Sequence, residues 1–330
     1  MKRYDKKFSL RKSLLWIFLF ILIASATLFA ISWWENHQEY TGVPDTSVIE
    51  VNGEQYERNA NIETVLLMGL DKFSEAVDNS SYSNDQQADF LMLYVLDNEA
   101  KTCKALHLNR DTMVEMNILG VAGMEIGTVK QQLALAHTYG NGQNVSCRNT
   151  AGAVSNLLMG ASIDHYVSVT MDAVSIFNDM VGGVELEVLS DFTGVDDSLK
   201  KGETVLLDGE HALNYVRGRH GVADGTNADR MIRQRQYLDA LYKTALKRAD
   251  SDEAFIFNAV QQLSEYIVSD CYVQDIKDLF DRISNYEFLG FYNIEGKSVM
   301  GERLVEFYPD EEAVKKLAVE LFYIPKRNAV

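Results

Sequence analysis

Five arginines, Arg217, Arg219, Arg230, Arg233 and Arg235, fall within nineteen residues of a chain whose formal net charge is −17. Guanidiniums held that close repel one another, so a fold that gathers them needs counter-charge. Arginine's planar fork suits a bidentate grip on phosphate or carboxylate oxygens. Ion pairing with nearby surface carboxylates is the plain alternative, because charge runs are usually solvated faces. Spacing sharpens the choice. Arg230, Arg233 and Gln234 stand at i, i+3 and i+4 and share one helix face, whereas Arg235 turns off that face toward the surface. Arg217 and Arg219, at i and i+2, can be aimed together only from an extended exit. Gly221, Gly225 and Asn227 allow a sharp return between the two groups. Two walls of donors would then face each other across a gap that fits an anion.

Acids sit where a sheet would present them. Asp71 follows the apolar run Thr64–Met68 by three residues, Asp89 immediately precedes Phe90–Leu96, and Arg110-Asp111 follows Lys104–Leu108. Ligands of open α/β sheets bind at strand ends. An antiparallel pairing of the first two runs would put Asp71 and Asp89 side by side, the kind of carboxylate pair that holds Mg²⁺ against phosphate oxygens. Taken singly, each aspartate reads equally well as a turn or cap residue. No GxSxG, HExxH or GxxxxGK[ST] motif occurs, and the six histidines show no zinc-ligand spacing with cysteine. Three cysteines, Cys103, Cys147 and Cys271, leave a Cys103–Cys147 bridge open.

These side chains must be carried by a folded region that starts late. Residues 13–34 hold no charge over 22 positions, enough for a helix across a bilayer of roughly 30 Å. Residues 1–12 carry six cationic side chains against Asp5, so the N-terminus is expected in the cytoplasm and the rest outside. A cleaved signal peptide is the rival, but Trp33 and Trp34 suit an outer interface rather than a cleavage site. The net +5 of the first twelve residues leaves −22 on the remainder, which excludes nucleic acid as a partner.

Residues 35–60 read as a polar stalk with one short strand at 47–51, and 61–330 as one extracellular domain. Apolar runs predict strands at 64–68, 90–96, 104–108, 166–170, 184–188, 286–292 and 303–308. Helical spacing predicts helices at 129–139, 150–159, 172–180, 210–215, 228–249, 253–267, 274–284 and 309–322. Interleaved strands and helices predict an α/β class, a layered α-β-α domain with a central mixed sheet behind one transmembrane helix.

Read in order, the motifs resemble the LytR–CpsA–Psr family, bacterial ligases that attach glycopolymers to peptidoglycan. The resemblance runs from about residue 65 to 236. It rests on Leu67-Met68-Gly69-Leu70-Asp71, on Ala88-Asp89, and on Asn109-Arg110-Asp111-Thr112, where asparagine replaces the family's proline. Leu207-Asp208-Gly209-Glu210-His211-Ala212-Leu213-Asn214-Tyr215-Val216-Arg217-Gly218-Arg219 follows. Last comes Asn227-Ala228-Asp229-Arg230-Met231-Ile232-Arg233-Gln234, where Asn227 replaces an aspartate. The resemblance implies a membrane-bound phosphotransferase that takes a glycan from polyprenyl pyrophosphate and gives it to peptidoglycan. Asp71 and Asp89 would hold Mg²⁺. Arg110, Arg217, Arg219, Arg230 and Gln234, with Arg233 alongside, would grip the pyrophosphate, and an apolar pocket would take the lipid. Asp89, Arg110, Arg217 and Arg219 would be catalytic, and Asp111 and Asn227 supporting; a metal or base role at Asn227 does not carry over, because an amide supplies no charge. A pyrophosphatase acting on the same carrier, and a non-catalytic receptor for an anionic wall polymer or lipid, remain as alternatives.

Overall fold

The computed structural model describes residues 48–71, 86–120 and 123–326. Among them no helix is long and apolar enough to cross a membrane. The expected basic tail at 1–12 and anchor at 13–34 lie outside the described residues.

In chain order the strands are β1 (Val48–Val51), β2 (Glu54–Arg58), β3 (Ile62–Leu70), β4 (Ala88–Asp97), β5 (Thr102–His107), β6 (Met113–Leu119) and β7 (Glu125–Gln132). Helix α1 (Asn144–Leu157), β8 (His165–Thr170), α2 (Met171–Met180), β9 (Val184–Glu187) and β10 (Thr204–Leu207) follow. The arginine stretch folds as α3 (Gly209–Arg217) and α4 (Asn227–Ser251). The remainder is α5 (Phe255–Gln262), β11 (Ile267–Ser269), α6 (Val273–Ser284), β12 (Glu287–Asn293), β13 (Gly296–Met300), β14 (Val305–Pro309), α7 (Glu311–Phe322) and β15 (Tyr323–Pro325).

Six strands form the central sheet in the order β11-β8-β3-β4-β5-β12. It is mixed: β3 runs parallel to β8 and antiparallel to β4, and β12 runs parallel to β5. The period-2 alternation of its apolar strands sends side chains to both faces. Leu66, Met68, Leu70, Leu91 and Leu93 pack with Val154 of α1 and Val314, Ala318 and Leu321 of α7. On the other face Val65 and Leu96 meet Leu279 and Ile283 of α6, while Phe90 and Met92 meet Leu238 of α4. A separate core joins α2, β9, β10, α3 and α4 through Val184, Leu207, Tyr215, Tyr237 and Leu241. That second core carries the arginine stretch.

Several sequence expectations give way. Residues 48–58, expected within the stalk, form a hairpin that pairs with β15 and buries Ile49 and Val51 in the main core. The helix expected at 129–139 is the end of β7 followed by a 3₁₀ turn at Leu133–Thr138. Its apolar spacing fitted a helix, but β7 is committed by hairpin pairing with the preceding β6. The helix expected at 253–267 ends at Gln262, and the chain re-enters the sheet as β11. Cys103 and Cys147 are free and belong to cores on opposite faces of the sheet, so they do not pair.

Candidate active site

The site is built at the end of the sheet where β3 leaves and β4 enters. Gly69 pairs with Phe90 and Leu70 with Ala88, so Asp89 is the extra residue of a β-bulge. A bulge re-aims the side chain it carries. Here it puts Asp89 at the strand end where Asp71 follows Leu70, the adjacency that antiparallel pairing required. Gly69 cannot be larger, because a Cβ there would lie 2.9 Å from Cβ of Phe90.

Each carboxylate is met by an arginine from elsewhere in the chain. Arg217, the last residue of α3, sets Nη2 2.9 Å from Oδ1 of Asp71. Arg110, just past β5, donates from Nη1 to Asp89 Oδ1 and from Nη2 to Oε1 of Gln87. Its Nε lies 3.5 Å from Asp111 Oδ1. Asp111 is buried and accepts from Nε2 of Gln132 at 3.2 Å. Burial raises its carboxyl above the ordinary value, against the opposing pull of Arg110, Arg219 and Arg230. Arg230 in turn is depressed first by burial and then by Arg219, with Asp111 and Asp71 acting the other way. The two ends of the motif core therefore share one electrostatic neighbourhood.

Local chemistry explains how the arginines reach it. Asp208 caps α3 by accepting from the His211 N–H at 2.9 Å. The helix stops at Gly218, where a Cβ would stand 2.7 Å from the Phe192 ring, and Arg219 is delivered beyond it. Arg219 Nε then donates to the Gly225 carbonyl at 3.3 Å, across a return in which Gly221 and Gly225 have φ of +78° and +73°. Thr226 caps α4, accepting from the Asp229 N–H at 3.2 Å. Arg230 thus falls in the first turn of a 25-residue helix, where the macrodipole adds positive potential. It is 6% exposed. Its Nη2 donates to Asn227 Oδ1 at 2.7 Å, and its buried Nε has no hydrogen-bond partner. A neutral amide, not a carboxylate, holds this cation.

The two departures from the family pattern touch each other. Asn227 Nδ2 donates to Asn109 Oδ1 at 2.8 Å, and the same oxygen accepts from the Asp111 N–H at 2.9 Å. One amide pair thereby ties the Asn109–Thr112 loop to the first turn of α4.

Not every expected residue faces the site. Arg233, expected on the pyrophosphate, is 1% exposed. It donates to the carbonyls of Tyr215 (3.2 Å) and Gly218 and to Ser190 Oγ (3.3 Å), and lies over the Phe192 ring. Helical spacing identified its face correctly but not what packs against it, and its work is to pin the C-terminal end of α3. Gln234 is buried and donates to the Val216 carbonyl at 3.2 Å, so part of its donor capacity supports the same helix end. Arg235, expected at the surface, is half-buried and close enough to His107 to act on it. Burial first, then Arg235 and Arg230, push the His107 imidazole down to about 3, which keeps it neutral. Its buried Nδ1 has no hydrogen-bond partner. Sequence reading missed Gln87, His107 and the Asn109 bridge; only Asn109, as the odd residue in a recognised motif, carried a signal.

Two measurements check these assignments. In urea unfolding, Arg233→Ala should lose roughly 2–4 kcal/mol, because buried carbonyls are left unpaired. Arg217→Ala, at a half-exposed ion pair, should stay within about 1 kcal/mol of the parent. Equal losses would contradict the division of labour. A cycle of Asn109→Ala, Asn227→Ala and the double variant should show coupling of about 0.5–1.5 kcal/mol; additivity would refute the amide tie.

Comparison with known proteins bears on the family and the fold. The polyisoprenyl-teichoic acid–peptidoglycan teichoic acid transferase TagV of Bacillus subtilis (strain 168) is 33% identical over 185 residues, 54% of this chain. The match spans only 42% of that relative's length. The corresponding transferase TagU of Halalkalibacterium halodurans is 28% identical over 246 residues, covering 72% of this chain and 74% of the relative. The crystal structure of B. subtilis TagV superposes with a TM-score of 0.60 at 26% identity, covering 80% of this chain and 96% of that one. The LytR_cpsA_psr family model matches residues 32–322. This chain belongs to the LytR_cpsA_psr family.

Proposed function

We propose that the protein is a phosphotransferase that moves a glycopolymer from a polyprenyl-pyrophosphate carrier to peptidoglycan and releases polyprenyl phosphate. The observation that carries the reading is the pairing of Asp71 with Arg217 and Asp89 with Arg110 at one sheet end. It joins four of the five motif segments, and the Asn109–Asn227 hydrogen bond ties in the fifth. The relatives' names as teichoic acid transferases support the same reaction class.

A peptidoglycan hydroxyl, the muramic acid C6 hydroxyl of the family resemblance, attacks the sugar-linked phosphorus. The new P–O bond forms as the bond to the bridging pyrophosphate oxygen breaks, and polyprenyl phosphate leaves with the bonding pair. Asp89 accepts the hydroxyl proton. Arg110, Arg217, Arg219 and Arg230 hold the oxygens on which charge develops, with donors fixed before the reaction begins. Gln234 and Arg233 keep the end of α3 in place, and Asp111 and Asn227 orient Arg110 and Arg230.

The all-oxygen donor set of Asp71 and Asp89 at one strand end fits Mg²⁺, which takes one or two carboxylates plus phosphate oxygens. When bound, Mg²⁺ supplies further neutralisation of pyrophosphate charge. The uncharged stretch at 13–34 supports a single-pass anchor with the N-terminus in the cytoplasm and the catalytic domain outside. There the anchor raises the effective concentration of a lipid-borne donor.

Transfer assayed with a lipid-linked donor and peptidoglycan should fall on the order of 10²–10³-fold in Arg217→Ala and in Asp89→Asn. Chelation of divalent cations should abolish it. Undiminished transfer by these variants would overturn the roles of Arg217 and Asp89. Equal release of polymer phosphate with and without acceptor would mark the protein as a pyrophosphatase instead.

A further inference from the structure

A second group of ligand-type side chains lies at the other end of the central sheet. His165 opens β8 opposite Val65, five register steps from the Leu70–Thr170 pair that borders the candidate active site. At ~3.3 Å per residue the separation is about 17 Å. Edge strand β11 runs antiparallel to β8, with Ser269 opposite Val167, and Asp270 and Cys271 follow it directly. The pairing brings together an imidazole, a carboxylate and a thiol. One donor atom from each lies within 4.8 Å of the other two. His165 Nδ1 and Asp270 Oδ2 are 3.4 Å apart.

Hydrogen bonds to neighbouring backbone position the three residues, and their ligand atoms face one another: the Cys271 thiol donates to Asp270 Oδ1 at 3.7 Å, a contact a bound cation would replace. Asp270 Oδ1 accepts from the Tyr166 N–H at 3.0 Å, which directs Oδ2 toward His165. Ser269 Oγ donates to the Tyr166 carbonyl at 2.7 Å and accepts from the Cys271 N–H at 3.0 Å. His165 Nδ1 is itself buried and has no well-aligned hydrogen bond. Cys271 is a free thiol. Such outer hydrogen bonds orient metal ligands in known sites.

We propose that His165, Asp270 and Cys271 form a binding site for a borderline-soft divalent cation, Zn²⁺ above all, that clamps β11 to β8. The donor set selects the metal. Thiolate and imidazole together favour zinc over magnesium or calcium, and a carboxylate is an accepted third ligand. Bonds of roughly 2.0–2.1 Å in a tetrahedron put nitrogen and oxygen ligands about 3.3 Å apart, close to the separation found between His165 and Asp270. A cavity of about 140 Å³ bordered by Ser264, Ser269, Cys271 and Val273 adjoins the thiol; neither His165 nor Asp270 lines it. No Cys-x-x-Cys or His-x-x-x-His spacing announces the site, because His165 reaches the other two only through strand pairing. It is independent of the transfer reaction proposed above.

The test uses the full-length chain, freed of metal under reducing conditions. Zn²⁺ should bind one equivalent with a dissociation constant of micromolar or below and should slow alkylation of Cys271 by iodoacetamide at least tenfold. Co²⁺ should give a thiolate-to-cobalt charge-transfer band. That band should vanish in Cys271→Ser, and Zn²⁺ affinity should fall at least tenfold in His165→Gln and Asp270→Asn, while Mg²⁺ has no effect on any readout. Metal-free variants that melt with the parent exclude misfolding as the cause. Three results would overturn the proposal: no Zn²⁺ binding, a cobalt complex without the charge-transfer band, or alkylation of Cys271 at an unchanged rate in Zn²⁺.

Discussion

Repulsion among five guanidiniums within nineteen residues is the constraint this fold has to satisfy. It does so by giving four of them different environments and half-burying the fifth, Arg235, near His107. Arg217 meets Asp71, Arg233 is buried among carbonyls and an aromatic ring, and Arg219 hydrogen-bonds the loop that carries it. Arg230 is buried against a neutral amide. Arg110 adds a further cation and brings Asp89 with it. Arg230, buried and bonded only to a neutral amide, sits at the positive end of the longest helix among the described residues, which makes the site attractive to an anion. The same placement costs stability, and the second core of α2, α3 and α4 offsets that cost by burying Tyr215, Tyr237 and Leu241.

The central sheet supplies what the arginine stretch lacks. A parallel β8 and an antiparallel β4 on either side of β3 put the start of one strand next to the end of another. Asp71 and Asp89 arrive together, with the bulge at Asp89 setting its direction. Both carboxylates are partly exposed and ion-paired to arginines brought from other segments. The proposed reaction requires a pyrophosphate to exchange with these carboxylates for the guanidiniums.

Much of this was legible in the amino-acid sequence, for reasons that are specific. Residues at strand ends and caps, Asp71, Asp89, Arg110 and Arg217, are set by local patterns that recur in order, so their convergence could be expected. What was hidden depends on contacts between distant segments. Arg233 lies on the same helical face as Arg230, yet what covers that face is the end of α3, and the wheel does not show it. The Asn109–Asn227 pair spans 118 residues. A nearer cause acts at 129–132, which had helical spacing and became strand because its hairpin neighbour β6 offered backbone partners. Residues 48–58 looked like a stalk because their two buried side chains, Ile49 and Val51, find a core only through β15 and α7.

Everything proposed for the transfer site depends on the Asp71–Arg217 and Asp89–Arg110 pairs being exchanged for pyrophosphate. A crystal structure of the protein soaked with a polyprenyl pyrophosphate and Mg²⁺ tests that exchange most directly. Arg217, Arg110 and Arg230 should then lie on phosphate oxygens, with Asp71 and Asp89 released from their guanidinium partners. Intact Asp71–Arg217 and Asp89–Arg110 pairs beside a pyrophosphate bound elsewhere would contradict it.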